Sequence, residues 1–238
     1  MTRVGLLFPG SMGAAVGAAA RAEVLWASEG RSEATAKRAE GFRDVGAVEE
    51  LVRTADIVLS ICPPAIAEEV AERVFALGFD GTLVEGNAIT PERMRRIAAL
   101  GDSVLDGSII ASKGIHFYLA GPGAEAVAKL FEGTEVEAIP LDADIGAASA
   151  LKMAFGGWNK IGIALTAQAH AIARAYGVDD RLAAEGVSED RLSRMADRAW
   201  RWAPEMDEVA DTCAEIGWPE AIPRAAGSFY TELSQERV

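Results

Sequence analysis

A short apolar segment that runs into a glycine-containing turn restricts the fold of this chain more than any other feature. Residues 3–8 read RVGLLF, residues 9–13 read PGSMG, and residues 14–20 are rich in alanine. An apolar run of this length is typical of a buried strand, and alanine is the strongest helix former. The segment therefore predicts a strand that passes through a tight turn directly into a helix.

The turn has the glycine pattern of a pyrophosphate-binding loop. In such loops the first glycine permits the tight turn, the second lets the backbone approach the pyrophosphate, and the third packs the helix on the strand. Gly10 and Gly13 occupy the second and third positions, whereas Phe8 stands at the first. N–H groups at the helix N-terminus would face the phosphates, so we predict a dinucleotide site, with a ligand-free turn as the alternative. The predicted cofactor-binding residues here are Pro9, Gly10, Ser11, Met12 and Gly13.

The segment after the second predicted strand, residues 23–27, distinguishes NAD(H) from NADP(H). An acid there usually binds the ribose hydroxyls of NAD, and an arginine accommodates the 2′-phosphate of NADP. Ser28, Arg31 and Ser32 suit a phosphate, whereas Glu29 favours NAD(H). We expect the first three residues to bind NADP(H) and keep NAD(H), or a solvated loop without a ligand, as the alternatives.

The pattern of predicted elements changes near Pro140. Short apolar runs alternate with helical patterns before it, and only helical patterns follow it. Such alternation indicates βαβ units and a mostly parallel sheet. The predicted fold class is α/β. We expect an N-terminal Rossmann dinucleotide-binding domain over residues 1–142 and an all-helical substrate and dimerisation domain over residues 143–238.

A long interdomain helix is predicted from about residue 145 to residue 176. It would extend about 45 Å. Apolar residues nearly encircle it, and a helix that is apolar all round needs cover on all sides. The remaining C-terminal segment cannot easily provide that cover alone, so we expect a homodimer through the C-terminal helices. Further helices are predicted over residues 188–202, 204–216 and 222–233.

The composition excludes several classes of partner. Asp and Glu total 36 against 23 Lys and Arg, a formal net charge of −13, and an acidic surface repels nucleic acid. No apolar run reaches the ~18 residues of a membrane span, so no membrane contact is expected. Two cysteines, Cys62 and Cys213, are too few for a disulfide framework and fit a cytoplasmic protein. His116 and His170 share no metal-ligand spacing with acids or cysteines, so no metal site is expected.

Four segments of the chain resemble one known superfamily. VGLLFPGSMG at residues 4–13 resembles the opening of the β-hydroxyacid dehydrogenases, which include 6-phosphogluconate dehydrogenases, 3-hydroxyisobutyrate dehydrogenases and imine reductases. LSICPP at 59–64, EGNAI at 85–89 and ASALKM at 148–153 resemble its 6-phosphogluconate dehydrogenase NAD-binding-like branch, which has an uncharacterised C-terminal helical domain. The resemblance implies a Rossmann domain, a helical domain and a dimer joined through the long helix.

The same resemblance implies further cofactor contacts at the ends of two predicted strands. Ligands bind at the carboxyl ends of strands in open α/β sheets, which favours this interpretation over ordinary strand ends and loops. The residues concerned are Cys62, Pro63, Pro64 and Asn87.

Lys152 is the candidate catalytic residue. It lies in an apolar segment of the long helix, and burial disfavours a charged lysine, which suits such a residue to proton transfer. The resemblance implies that it exchanges a proton with the substrate oxygen while a hydride moves at carbon. The alternative is a lysine whose ammonium group reaches solvent along its own side chain.

Two residues on the same face of the long helix are candidate substrate contacts. Gly156 and Asn159 follow Lys152 at helical spacing. Gly156 would leave room for a substrate. Asn159 would hydrogen-bond a substrate carboxylate or hydroxyl, or else cap a neighbouring chain segment.

The segment after the strand predicted at residues 103–106 departs from the superfamily. The usual Asp-Ala-Pro-Val-Ser-Gly-Gly loop binds a substrate carboxylate, whereas Asp106 is followed here by GSIIAS. Ile110 replaces the serine and the glycine pair is missing. We expect Ser108, or a main-chain N–H near Ile109, to replace them.

Taken together, the chain is expected to be an NADP(H)-dependent oxidoreductase. It would transfer a hydride between nicotinamide and a small hydroxyacid, alcohol or carbonyl substrate, with Lys152 as general acid and base. An imine reductase-like enzyme and a non-catalytic NADP-binding module are the alternatives.

Overall fold

One eight-stranded sheet organises the N-terminal part of the chain. The computed structural model describes residues 1–192 and 195–235. The strands are β1 (Arg3–Leu6), β2 (Glu23–Trp26), β3 (Arg43–Asp44), β4 (Ile57–Ser60), β5 (Thr82–Glu85), β6 (Val104–Ile110), β7 (Ile115–Ala120) and β8 (Val136–Pro140). They lie in the order β3-β2-β1-β4-β5-β6-β7-β8.

Helices connect most of these strands and dominate the described chain after β8. The first six are α1 (Ser11–Ala19), α2 (Glu33–Arg38), α3 (Val48–Thr54), α4 (Ala67–Ala76), α5 (Pro91–Ala98) and α6 (Ala124–Ala128). The others are α7 (Ala147–Ala175), α8 (Asp179–Ala184), α9 (Met195–Glu215) and α10 (Ala221–Gln235). The predicted α/β fold with a long helix and a helical C-terminal region is therefore confirmed.

The strand order reverses direction between β1 and β4. From β1 the chain moves outward to β2 and β3, then returns so that β4 pairs with the other edge of β1, with Val4 opposite both Val24 and Ile57. All pairs from β3 to β6 are parallel. Ligands in open α/β sheets bind at the carboxyl ends of the strands beside such a reversal. This point lies where the turn after β1 meets the loop after β4.

The central strands are buried on both faces, which explains their nearly continuous apolar sequences. One cluster of buried side chains includes Val4, Leu6 and Phe117, and a second cluster includes Leu51 and Ile97. Helices cover both faces of the sheet in this way, so the strand ends are the part of the sheet that can bear polar function.

Strand β6 extends beyond its predicted end. Gly107 and Ser108 interrupt the apolar pattern, so the sequence predicts a strand that ends at Asp106 and a loop after it. In the structure β6 continues to Ile110, because this segment forms an antiparallel ladder with β7 in which Ile109 pairs with Phe117. The expectation of a loop directly after Asp106 was wrong for these residues.

The C-terminal region contains one helix where two were predicted. Pro204 lies inside α9, which runs without interruption from Met195 to Glu215. A proline removes one intrahelical hydrogen bond, but neighbouring packing supports the helix here: the Trp202 ring lies 5.3 Å from the ring of Tyr230 on α10. Residues 193 and 194, within the helix predicted over 188–202, lie outside the described residues, as do residues 236–238 of the predicted C-terminal domain.

The chain divides into two compact units, residues 1–152 and residues 153 onward, and the division falls within α7. Among the described residues, no helix is both long enough and apolar enough to cross a membrane. The boundary predicted at residues 142 and 143 stays a prediction.

One carboxylate anchors α7 to the sheet within the first unit. Asp106 is fully buried and accepts hydrogen bonds from the N–H groups of Gly146 at 2.8 Å, Ala148 at 2.9 Å and Ser149 at 3.1 Å. The Ser149 hydroxyl adds a fourth donor at 2.7 Å. The N–H groups at the start of a helix have no partner within the helix, and a carboxylate there also interacts favourably with the helix dipole.

Asp106→Ala is expected to lower the free energy of unfolding by about 2–4 kcal/mol, because it leaves buried N–H donors at the start of α7 without an acceptor. Denaturant unfolding measures this loss. Asp102→Ala, at an exposed acid before the same strand, is the matched control and should change stability little. A similar loss in both variants would show that the helix anchor contributes nothing special.

Candidate cofactor-binding and active site

The turn between β1 and α1 leaves open space in front of a helix N-terminus. Gly10 is the N-cap of α1 and no side chain caps this helix. A Cβ atom at Gly10 would meet nothing within 4 Å, whereas one at Gly13 would lie 2.5 Å from the carbonyl oxygen of Phe8. Gly13 is therefore required for the helix to pack against the turn, and Gly10 leaves room for a ligand. The predicted roles of the two glycines match this geometry, and the segment from Pro9 to Gly13 fits a pyrophosphate.

Arg31 covers the turn from the side. Its guanidinium carbon lies 4.2 Å from the centre of the Phe8 ring, and its Nη2 donates to the carbonyl oxygen of Leu7 at 3.1 Å. Its Nε is buried and has no hydrogen-bond partner among the described residues. Burial lowers the pKa of Arg31, with a smaller contribution from the charge of Arg73. A buried cationic donor without an acceptor beside an open turn fits an anionic ligand.

A second arginine, not identified from the sequence, reaches the same turn. Nε of Arg38 on α2 donates to the carbonyl oxygen of Pro9 at 3.0 Å. The two serines that were predicted to bind a phosphate, Ser28 and Ser32, form hydrogen bonds within the chain. Ser32 caps α2, since its hydroxyl accepts the N–H of Thr35 at 3.3 Å, and the carbonyl of Ser28 accepts the N–H of Arg31 at 3.0 Å. Both serines therefore shape the segment that presents the arginine.

The loop after β4 is braced from two sides. The Oδ1 atom of Asn87 accepts the N–H of Cys62 at 2.7 Å, and the guanidinium of Arg93 donates to the carbonyl of Pro64 at 2.9 Å. The loop Cys62–Pro64, which includes Pro63, thus lies at the carboxyl end of β4, beside the turn after β1 in strand order. Asn87 is buried and its amide is used within the protein, so it shapes the loop.

The thiol of Cys62 is not poised for reaction. Burial, together with the charge of Glu85, raises its pKa to about 11. The thiol therefore stays protonated at neutral pH, and a protonated thiol is a poor nucleophile.

Glu85, at the end of β5, is a buried acid that the sequence analysis did not identify. Its Oε1 accepts the main-chain N–H of Asn87 at 3.1 Å and also bonds the Asn87 side-chain amide. Its Oε2 is buried and has no partner among the described residues. Burial raises its pKa to about 8. The available signal was a glutamate that ends the apolar strand TLVE.

Lys152 lies beside the end of β6. Its Nζ donates to the carbonyl oxygen of Ile109 at 2.6 Å, which joins the candidate catalytic residue to a candidate substrate residue. Ser108 is fully buried, and its hydroxyl has no partner among the described residues. Ile109 therefore contacts Lys152 through its main-chain carbonyl group.

Gly156 and Asn159 belong to the second unit, where other side chains contact them. A Cβ atom at Gly156 would lie 2.8 Å from Oε1 of Glu205, which pairs with Lys160 at 2.6 Å. The side-chain oxygen of Asn159 accepts a hydrogen bond from Arg191. The glycine thus makes room for a carboxylate of this chain, and the asparagine holds a neighbouring segment, which was the second of its two expected roles.

The second unit also contains a hydrogen-bond network around His170 that the spacing of residues in the sequence did not indicate. Nδ1 of His170 lies 2.7 Å from a carboxylate oxygen of Asp179, and Nε2 lies 3.2 Å from the carbonyl oxygen of Val187. The three groups of His170, Asp179 and Glu189 are close enough to share a cation. Arg174 pairs with both carboxylates, so the network already contains a cation of the chain.

Comparisons with known proteins agree with this architecture. Residues 173–233 match the family model of a domain of unknown function, DUF1932. The solved structure of MTH1747, a conserved protein of unknown function similar in structure to 3-hydroxyacid dehydrogenases, matches with a TM-score of 0.76 and 27% identity, covering 99% of this chain and 98% of that one. No curated protein is significantly similar in sequence.

Two characterised enzymes share the fold at lower identity. A 3-hydroxyisobutyrate dehydrogenase from Mycobacterium tuberculosis, solved with L-serine, matches with a TM-score of 0.74 and 17% identity over 99% of this chain and 94% of that one. An imine reductase variant from Myxococcus stipitatus, in complex with NAD+, matches with a TM-score of 0.60 and 20% identity over 99% and 95%. The chain therefore has the 3-hydroxyacid dehydrogenase-like fold. Within that fold, it carries a DUF1932 domain at its C-terminal end.

Proposed function

We propose that this protein is an NADP(H)-dependent oxidoreductase that uses Lys152 as its general acid and base. The observation that carries the proposal is the hydrogen bond from Nζ of Lys152 to the carbonyl of Ile109. It holds an ammonium group at the end of β6, in the same unit as the open turn at Gly10. A cofactor site and a proton donor in one α/β unit are the parts that hydride transfer to a carbonyl group requires.

The cofactor, when bound, would supply or accept the hydride. The N–H groups at the start of α1 would hold its pyrophosphate, since Gly10 leaves that space open. Arg31 would pair with the 2′-phosphate through charge-assisted hydrogen bonds. Local cations are needed here because the chain carries a formal net charge of −13, which opposes an anionic ligand.

Lys152 would move a proton at the substrate oxygen. As a ketone or aldehyde is reduced, its oxygen gains negative charge and takes a proton from the ammonium group; in the reverse direction the neutral amine accepts it. The carbonyl of Ile109 supports this role because it fixes the position of the ammonium, and alignment of the reacting groups lowers the barrier.

The substrate is proposed to be a small carbonyl compound, alcohol or hydroxyacid. The usual glycine loop for a carboxylate is replaced by β6, whose residues pair with β7. Ser108 is fully buried on this strand, so the first unit contains no equivalent of the serine of that loop at this position. This observation keeps a non-catalytic NADP-binding module as the second candidate, and the similarity in fold to an imine reductase keeps imine substrates as a third.

We also propose that the chain forms a homodimer through α7. Trp158, Leu165 and Ile172 recur along one face of this helix, about two turns apart. They are 67%, 59% and 58% exposed in the single chain. Large apolar side chains repeated along one exposed helix face are typical of a helix that packs against a partner.

Lys152→Ala is expected to keep NADPH binding and to lower turnover about 10²–10⁴-fold, because it removes the proton donor and leaves the cofactor turn intact. Fluorescence titration measures binding, and NADPH oxidation with a panel of carbonyl and imine substrates measures turnover. Lys113→Ala, at an exposed lysine after β6, should retain both. Absence of NADPH oxidation by the wild-type protein across the panel would favour the non-catalytic module.

Arg31→Ala is expected to raise the dissociation constant of NADPH about 10–100-fold and to change that of NADH much less. The loss follows from removing charged hydrogen bonds that only the 2′-phosphate can accept. Isothermal titration with both cofactors provides the comparison. Equal weakening of both would contradict the assignment of NADP(H).

Leu165→Glu is expected to convert the dimer to a monomer, because it buries a charge in the middle of the apolar face. Light scattering coupled to size-exclusion chromatography measures the mass. Leu77→Glu, at an exposed leucine of the first unit, should leave the mass unchanged. A wild-type protein that is already monomeric at micromolar concentration would contradict the dimer.

A further inference from the structure

Polar side chains line up across three neighbouring strands on one buried face of the sheet. Ser60 of β4 pairs in register with Glu85 of β5, which pairs in register with Asp106 of β6. Residues paired in register point to the same face. All three are at most 1% exposed. Asp106 holds the start of α7, but none of the proposed catalytic steps uses Glu85.

Glu85 is connected to the main chain of the loop after β4 through Asn87. Its Oε1 accepts the main-chain N–H of Asn87 and bonds the side-chain amide as well. That amide then accepts the N–H of Cys62 through Oδ1 at 2.7 Å. The carboxyl of Glu85 therefore sets the orientation of the Asn87 amide, and the amide sets the position of the loop.

The surroundings of Glu85 disfavour a negative charge. Among residues 1–192 and 195–235, Oε2 is buried without a hydrogen-bond partner and no cation contributes to the electrostatics of Glu85. Hydrogen bonds with the Ser60 side chain and with Asn87 favour the charged form, but burial outweighs them. The titratable groups that face it are Asp106 from β6 and Cys62 from the end of β4. One is an acid and the other is a thiol that stays protonated, so neither supplies positive charge. An ionised carboxylate in such a site would be costly, whereas a neutral carboxylic acid is tolerated.

We infer that Glu85 is a positioning residue that works as a neutral carboxylic acid and, through Asn87, holds the Cys62–Pro64 loop in place. If the proposed function is correct, that loop lines the cofactor, and Glu85 then controls how well the cofactor site is formed. The inference about the loop itself does not depend on the cofactor.

The direction of the pKa shift gives this role a pH dependence. Burial raises the pKa of Glu85 from 4.5 to about 8. The protonated form therefore favours folding: its contribution is complete below pH 4.5, falls as the pH rises from 4.5 to about 8, and is gone above that. Above pH 8 the folded site must hold the charged form beside Asp106, which favours a local opening of the loop that exposes the carboxylate to water.

Glu85→Gln tests the inference, because glutamine has nearly the same shape, keeps an oxygen acceptor and carries no charge at any pH. We expect the variant to match the wild type in thermal stability below about pH 4.5, and to exceed it by a margin that grows as the pH rises from 6 to 8 and is largest at pH 9. Amide hydrogen exchange is the second measurement. Protection of the Cys62 N–H should fall between pH 7 and 9 in the wild type and stay constant in the variant, whereas Asn87→Ala should lower it at both values.

Affinity for NADPH is the third measurement. The wild-type dissociation constant should rise above pH 8 by up to about tenfold per pH unit, and that of Glu85→Gln should not follow it. Glu72→Gln, at an exposed acid on α4, is the matched control and should behave like the wild type.

Two results would overturn the inference. A difference in melting temperature between Glu85→Gln and the wild type that stays constant from pH 6 to 9 would show that Glu85 does not change its protonation state there. Loss of Cys62 protection in Glu85→Gln at pH 6 would show that the site needs a carboxylate. If the wild type bound neither NADPH nor NADH, the proposed function would fail, but stability and amide exchange would still decide the role of Glu85.

Discussion

The hydrogen bonds between the Asp106 carboxylate and the first turn of α7 are the interaction on which the candidate active site depends. They join β6, at the residue that pairs with the end of β5, to a helix that begins one residue after Gly146. Gly146 has a φ of 103°, a conformation that glycine adopts without strain, and this allows the chain to enter the helix here. Lys152 follows on the second turn of the same helix. Lys152 on α7 therefore contacts the Ile109 carbonyl on β6, and Asp106 holds these two elements together.

The turn after β1 lacks the first glycine of the usual pyrophosphate-loop pattern. Phe8 stands at that position, and its ring supports the guanidinium of Arg31 while the backbone carbonyls of Leu7 and Pro9 accept from Arg31 and Arg38. The close approach of backbone to helix is kept at Gly13, where a Cβ atom would meet the Phe8 carbonyl at 2.5 Å. An aromatic ring thus lies where the pattern has its first glycine, and it holds the positive charge of Arg31 beside the open turn.

Much of the fold follows from local sequence, and the parts that do not depend on contacts between distant segments. Strands β1, β2, β4 and β5 and the long helix are each indicated by an apolar run or period with a clear break. Strand β3, two exposed polar residues, has no such pattern. The extension of β6 depends on pairing with β7, and the continuity of α9 through Pro204 depends on packing against α10; neither partner is visible in the local pattern. For the same reason, the glycine turn after β1 and the place of Lys152 on the long helix could be predicted from sequence, whereas the contacts of Gly156 and Asn159 and the environment of Glu85 could not.

Two buried acids of the first unit, Asp106 and Glu85, differ in whether the stability of the fold explains them. Burial of an acid is costly unless its charge is balanced or its proton is kept, so a core selected for stability alone would avoid both Glu85 and Asp106. The burial of Asp106 is explained by structure, because its carboxylate accepts hydrogen bonds from N–H groups at the start of α7. Glu85 accepts from Asn87 and interacts with the Ser60 hydroxyl, yet one of its oxygens has no partner among the described residues and burial still raises its pKa. Perturbed acids that stability does not explain concentrate at functional sites. Glu85 ends the strand next to the loop at Cys62, so under the proposed function its burial serves the site at which we propose that the cofactor binds.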